Sequence, residues 1–234
     1  MAMRPKPVVV SLVLAIAAAM PYVMRQGLLA LVEPVGAMLV LFVAFGKPRG
    51  EAVAPYASSV VYFASLGAGF IAIELTLLQN LTLLVGHPIY TLSVLLFTLL
   101  ATSGLGSSLS KHVPTLWACV TVAVLGTVGA FALPTIVPVL LPLGQATRIA
   151  IAMLCIAPFG LLMGMPFPQG LRKTGHGPLP APPFYWGLNG VMSVLGSVGT
   201  VIIALLSGFH VAMIAGSACY LVAAVASTGL PKST

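Results

Sequence analysis

The sequence predicts an all-α fold, a polytopic transmembrane helical bundle. Hydrophobic residues make up 59% of the chain and charged residues 6%, with a mean hydropathy of +1.13. A soluble domain of ordinary composition is about one-quarter charged, so this chain cannot build a water-facing surface over most of its area. The 234 residues also contain repeated apolar stretches, and about 20 apolar residues suffice to cross a bilayer.

Eight apolar stretches of membrane-spanning length follow one another along the chain. We predict spans at residues 7–24, 28–46, 58–78, 88–106, 115–133, 149–168, 184–207 and 209–227. The third span could extend as an interfacial turn to Val85. Together the spans make residues 1–234 a single transmembrane helical domain, and we expect its first helix to be retained rather than cleaved as a signal peptide.

Two proline-rich stretches predict connections between spans. Residues 134–145 are apolar but contain Pro134, Pro138 and Pro142. Because a proline inside a helix removes a backbone hydrogen bond and clashes with the preceding turn, we expect this stretch to be interfacial or re-entrant. The stretch GHGPLPAPP at 175–183 predicts an extended connection.

The placement of the basic residues predicts the orientation. With both termini in the cytoplasm, the inside segments hold eight basic residues, namely Arg4, Lys6, Lys47, Arg49, Lys111, Arg172, Lys173 and Lys232. The outside segments hold only Arg25 and Arg148. This is the distribution of a protein with positive charge on the cytoplasmic side. We expect a bacterial inner-membrane protein whose basic loops meet membrane lipids, not nucleic acid.

The acidic residues exclude several classes of enzyme. The chain has no aspartate, and its three glutamates are Glu33, Glu51 and Glu74. So small an acidic inventory, without any aspartate, disfavours magnesium sites, acidic ribose clamps and paired-carboxylate catalysis. The sequence therefore predicts no soluble catalytic domain, no catalytic residue and no resident cofactor.

Glu74 lies in the body of the third predicted span. Burying a charged residue at the bilayer centre costs about 2.5 kcal/mol or more, so this carboxyl must be protonated, paired or facing a cavity. Gln79 and Asn80 follow within a turn and a half and form a polar stripe with it. Two interpretations stay open: a site for a cation, a proton or a polar headgroup, and a neutral glutamic acid that makes an interhelical hydrogen bond.

Other polar residues complete the candidate ligand-binding set. His87 and Tyr90 follow Gly86 at the end of a span, where His87 is either the end-cap of a turn or part of a site. Asn189 lies a few residues inside the seventh predicted span, and a buried amide needs partners. His210 and His87 both fall at outside ends of spans, which makes them weak candidates for haem or another metal.

Glycines are dense in the third and seventh predicted spans, and they permit close helix approach in lipid. They are Gly67, Gly69, Gly187, Gly190, Gly196 and Gly199. We expect packing to be their main role.

Several local runs of small, aromatic and polar residues occur in a fixed order along the chain. They are YFASLGAGF at 62–70 with Glu74 and Gln79, GHPIY at 86–90 with SGLGS at 103–107, GMPFPQGLR at 164–172, and WGLNGVMSVLGS at 186–197. Together these runs resemble the membrane portion of bacterial spermidine synthase-like proteins. In that family a multi-span region, often described as a major-facilitator-like half, accompanies an aminopropyltransferase-like Rossmann domain. This sequence lacks that domain, and Asn80 stands where a basic residue is expected. The resemblance implies a fold and a partner, but not aminopropyl transfer by this chain.

Three hypotheses about function follow. The first is a non-catalytic accessory or structural subunit of a larger complex, joined to other membrane subunits, to further copies of itself or to a separate soluble enzyme domain. The second is a binder or transporter of a small polar or cationic, polyamine-like molecule around Glu74. The third is a membrane enzyme related to spermidine synthase-like proteins, which the scarcity of acids, lysines and histidines within the spans disfavours.

Overall fold

The computed structural model describes residues 53–175 and 182–231, which form helices and short turns with no strand among them. In chain order the helices are α1 (Val53–Val85), α2 (Pro88–Leu109), α3 (Thr115–Leu140), α4 (Gln145–Met163), α5 (Pro166–Thr174), α6 (Pro182–Ser207) and α7 (Phe209–Ser227). The first two predicted spans, with Arg25, Glu33 and Glu51, lie outside the described residues.

The described residues contain six helices long and apolar enough to cross a membrane, with α4 and α5 counted together as one. These helices agree with the third to eighth predicted spans, and the last of them coincides with the predicted 209–227. The all-α fold is therefore confirmed for the described residues, and six of the eight predicted spans correspond to helices long and apolar enough to cross a membrane. The third span continues as regular helix to Val85 instead of ending in an interfacial turn.

The prediction for residues 134–145 is wrong over most of its length. Helix α3 continues through Pro134 and Pro138 and ends at Leu140, and α4 begins at Gln145. Each proline removes one backbone hydrogen bond, but leaving the helix would expose many more backbone groups. In lipid, where water cannot satisfy those groups, a helix that lacks two hydrogen bonds has the lower free energy.

Two tight connections depend on glycine at positive φ. Gly86 (φ +87°) lies between α1 and His87, and Gly208 (φ +91°) joins α6 to α7. A residue with a Cβ is strained in this conformation. We call the end of the bundle that holds His87 and His210 the histidine end.

The opposite end of the bundle holds the α2–α3 connection and α5. Lys111 lies in that connection, and Arg172 and Lys173 lie in the last turn of α5. We call it the basic end. The fourth basic residue among the described residues, Arg148, lies in the first turns of α4, at the histidine end.

Helix α1 is the central element, packed mainly against α6 and α7, while α2 pairs with α4 and α3 with α7. Glycines occupy the closest crossings: a Cβ on Gly69 would lie 3.0 Å from the Gly216 carbonyl oxygen, and one on Gly196 would lie 2.7 Å from the Ala68 Cα. The packing prediction holds at these positions. It fails at Gly190 and Gly199, where an added Cβ meets no described atom within 4 Å.

Candidate functional site

A cleft of about 510 Å³ lies between α6 and the α2–α4 pair, in the half of the bundle toward the basic end. It forms because α6 packs on α1 and α7 while α2 packs on α4, so these two groups are left apart. Leu66 and Phe70 of α1 form its floor, and Phe167 of α5 lies at its basic end. The full lining is Leu66, Phe70, Leu100, Ser103, Gly104, Ser107, Met163, Gly164, Phe167, Pro168, Trp186, Asn189, Ser193 and Tyr220.

Polar side chains of α6 fix one wall of the cleft to α1. The Asn189 amide nitrogen donates to the Phe63 carbonyl oxygen at 3.2 Å. The Ser193 hydroxyl donates to the carbonyl oxygens of Gly67 (3.1 Å) and Asn189 (2.9 Å). This approach requires glycine at position 67, since a Cβ there would collide with the Asn189 carbonyl group.

The opposite wall is equally close-packed. A Cβ on Gly164, the C-cap of α4, would collide with the Ser103 backbone of α2, and one on Gly106 would collide with the Leu161 backbone. In contrast, a Cβ on Gly104 meets no described atom within 4 Å. The lack of a side chain at Gly104 therefore leaves space in the cleft, while Gly106 and Gly164 allow α2 and α4 to pack closely behind it.

Aromatic rings close the cleft toward the basic end. The Phe167 ring packs edge-on against Phe63 (5.4 Å between centroids) and against Trp186 (4.9 Å). Helix α5, which carries Phe167, is held to α1 by the Tyr62 hydroxyl, which donates to the Pro166 carbonyl oxygen at 2.7 Å. These contacts predefine the shape of the cleft.

The chemistry of the lining is apolar with a few free polar groups. None of the described residues that line the cleft is charged. The Asn189 Oδ1, the Ser107 hydroxyl and the Trp186 Nε1–H have no hydrogen-bond partner among the described residues. The cleft thus offers a hydrogen-bond acceptor, a donor and a hydroxyl that serves as either.

The structure places Glu74 away from this cleft. Its side chain is partly buried on α1, and it has no hydrogen bond or ion pair within the described part of the chain. It lies seven residues beyond Gly67, about 10 Å along the helix axis at 1.5 Å per residue. By helical periodicity it shares the face of α1 that meets α6 at Gly67 and Ile71.

The remaining predicted residues do not gather around Glu74. Gln79 is exposed, and the Asn80 amide donates to the Thr76 carbonyl oxygen of its own helix at 2.8 Å. His87 caps α2, accepting from the Ile89 N–H at 3.3 Å, which is the end-cap arrangement. Of the six candidate residues, only Asn189 lines the cleft.

The two histidines of the weak metal hypothesis are both exposed at the histidine end. His87 contacts the exposed Tyr90 ring at 5.2 Å between centroids, and His210 lies in the first turn of α7. No group of three or more His, Cys, Asp or Glu side chains that could hold a metal ion occurs in residues 53–175 and 182–231.

Several lining residues were not singled out as candidates from the sequence, among them Ser103, Ser107, Met163 and Phe167. The sequence feature that could have identified them is the set of runs that carry the family resemblance. Each of the runs 62–70, 103–107, 164–172 and 186–197 contributes to the lining of this cleft. The runs are thus brought together in space, although they are far apart in sequence.

Comparisons with protein-family profiles, with curated proteins and with solved structures give no match for this chain. The resemblance to spermidine synthase-like membrane regions therefore stays a prediction.

Proposed function

We propose that this protein is a non-catalytic membrane module that holds one small, neutral, amphipathic molecule in the cleft between α6 and the α2–α4 pair. The observation that carries the proposal is the lining of the 510 Å³ cleft, which is mostly apolar and aromatic with a few free polar groups. Small-molecule sites typically measure about 300–1,000 Å³ and combine these two kinds of surface.

The proposed ligand is neutral because the described lining carries no charge. A desolvated cation without a counter-charge is strongly disfavoured. Glu74, the one acid among the described residues, does not line the cleft. This argument favours a neutral molecule over the polyamine-like cation of our second hypothesis.

The same lining supports binding rather than catalysis. The described lining includes serines and Tyr220 but no histidine, cysteine, lysine or carboxylate, the side chains that most often act as general acids and bases. Asn189 would accept a hydrogen bond from the ligand, and Trp186 would donate one. The aromatic rings of Phe70 and Phe167 would pack on its apolar part.

Mass spectrometry of an organic extract tests the proposal. Protein is purified in lipid nanodiscs as wild type, as Gly104→Phe, which places a ring in the open space of the cleft, and as Gly199→Phe. The last is a matched control, because a Cβ added at Gly199 also meets no described atom within 4 Å, while Gly199 does not line the cleft. We expect one neutral species in a near-stoichiometric amount from wild type and Gly199→Phe, and its loss from Gly104→Phe. Equal recovery from all three proteins would refute the proposal.

We also propose eight spans with both termini cytoplasmic, in a bacterial inner membrane. The described part of the chain supports this orientation, since Lys111, Arg172 and Lys173 lie at one end and Arg148 at the other. Thiol labelling of Lys111→Cys in a cysteine-free background should occur only after the inner membrane is permeabilised. Labelling in intact spheroplasts would show that the orientation is the opposite one.

A role as an accessory subunit is a second candidate function. Within the described part of the chain, only 17% of the most apolar stretch of α6 is buried, against 50% of that of α1. The other described helices therefore leave a long apolar face of α6 uncovered, which is available to other membrane subunits, to further copies of the chain or to lipid. The mass of the complex after mild extraction tests it, and a lone, partner-free monomer would exclude this candidate.

A further inference from the structure

A second pocket, of about 350 Å³, opens at the basic end between the α2–α3 connection and α5. It shares no lining residue with the cleft. Because it lies at one end of helices that are long and apolar enough to cross a membrane, we place it at the level of the lipid headgroups.

Three cationic side chains line this pocket: Lys111, Arg172 and Lys173. No described carboxylate neutralises them, because the one acid in residues 53–175 and 182–231, Glu74, lies inside α1. The Arg172 guanidinium donates one hydrogen bond, of 2.9 Å, to the Ser110 hydroxyl. Its other N–H groups have no hydrogen-bond partner among the described residues.

An unpartnered hydroxyl on a buried residue points to a ligand independently of these charges. Thr115 lines the pocket, is only 6% exposed, and its hydroxyl has no hydrogen-bond partner in the described structure. Thr115 is also the first residue of α3, whose N-cap, Pro114, makes no side-chain capping bond. The first N–H groups of α3 therefore lack helical partners, and the positive end of the helix dipole adds to the field of the cations.

The pocket is held in shape by a side chain of α5. The Gln169 amide nitrogen donates to the carbonyl oxygens of Ser110 and Val113, each at 2.7 Å. These bonds fix the α2–α3 connection against α5, so the cationic groups and the start of α3 face the same space before any ligand arrives.

We propose that this pocket binds the phosphate group of an anionic phospholipid. Guanidinium, ammonium, hydroxyl and helix N–H groups are all donors to phosphate oxygens. Basic pockets between transmembrane helices on the cytoplasmic side are suited to such headgroups. The proposal is independent of the ligand in the cleft.

A titration with phosphatidylglycerol tests this proposal. Wild type, Lys111→Gln and Lys111→Gln/Lys173→Gln are titrated in detergent with solubilised phosphatidylglycerol, and bound lipid is counted by native mass spectrometry. Each lysine removed should weaken binding about fivefold, which corresponds to about 1 kcal/mol per cation near the headgroups. Thr115→Val, which removes only the hydroxyl, should also weaken binding.

Arg148→Gln is the matched control, since it removes one positive charge at the opposite end of the bundle. It should leave phosphatidylglycerol binding unchanged. Lys111 is exposed and makes no hydrogen bond to another described residue, so Lys111→Gln should unfold at the wild-type temperature without lipid. Equal weakening by Arg148→Gln, or none by the double lysine variant, would overturn the proposal.

Inorganic phosphate distinguishes the source of the phosphate group. We expect millimolar phosphate to compete weakly, because it lacks the acyl chains that hold a lipid beside the pocket. If instead phosphate alone stabilises the protein as strongly as phosphatidylglycerol, and Lys111→Gln abolishes this, the pocket binds free phosphate. That result would overturn the assignment to lipid.

Discussion

The side-chain amide of Asn189 donates a hydrogen bond of 3.2 Å to the carbonyl oxygen of Phe63. This bond joins α6 to α1 directly behind the cleft, while the Asn189 Oδ1 keeps its acceptor capacity. One side chain therefore contributes both to helix association and to the polar lining of the candidate site.

Replacement of Asn189 by alanine should affect both properties. We expect a loss of about 0.6 kcal/mol in unfolding free energy, the average for interhelical hydrogen bonds in membranes, together with weaker retention of the cleft ligand. Ser197→Ala is the control, because the Ser197 hydroxyl bonds only to the Val194 carbonyl of its own helix. Chemical unfolding in mixed micelles measures the first effect. If the Asn189→Ala protein binds the ligand and unfolds like wild type, Asn189 does not belong to the binding site.

Gly67→Ala should separate α1 from α6. The added Cβ would collide with the Asn189 carbonyl group, and overpacking of this kind costs about 1–3 kcal/mol. Gly190→Ala, where the added Cβ meets no described atom within 4 Å, should be neutral or slightly stabilising. Thermal unfolding of the two variants side by side gives the comparison. Similar midpoints would mean that α1 and α6 are not in close contact at Gly67.

Glu74→Gln discriminates the cleft from the intramembrane carboxylate as the binding site. Because Glu74 does not line the cleft, the variant should keep the fold and retain the neutral ligand in full. The cation hypothesis requires the reverse, namely that spermidine raises the melting temperature of wild type but not of Glu74→Gln. That outcome would show that the ligand binds at Glu74 and not in the cleft.

Pro138→Ala tests the helical path of α3. In a continuous helix the substitution restores one backbone hydrogen bond and removes a steric clash, with a gain of up to about 3 kcal/mol. Pro142→Ala, beyond the end of α3 at Leu140, restores no helical bond and should not stabilise. If neither variant gains stability, residues 134–140 are better described as the re-entrant connection that the prolines predict.

Span positions could be predicted because apolar stretches and their breaks are local features of the chain. Phe209–Ser227 was predicted without error, since Gly208 breaks the pattern before it. The continuation of α3 through its prolines was not predicted. The low helix propensity of proline in water overestimates how readily a chain in lipid departs from the helical conformation. The cleft was not predicted either. It depends on α6 and α2 packing on different neighbours, which no single stretch of sequence specifies.

The most direct test of the cleft as a binding site uses the fluorescence of Trp186. The chain has two tryptophans, Trp117 and Trp186, so Trp117→Phe leaves a single reporter in the cleft lining. Three proteins, the wild-type background, Gly104→Phe and Gly199→Phe, each carry Trp117→Phe and are titrated with a bromine-substituted medium-chain alcohol, a neutral amphipathic quencher. We predict a saturable phase of quenching that Gly104→Phe abolishes and Gly199→Phe preserves. Quenching that rises without saturation and equally in all three proteins would show that the alcohol reaches Trp186 only from the surrounding lipid or detergent, and it would contradict the assignment of the cleft as a binding site.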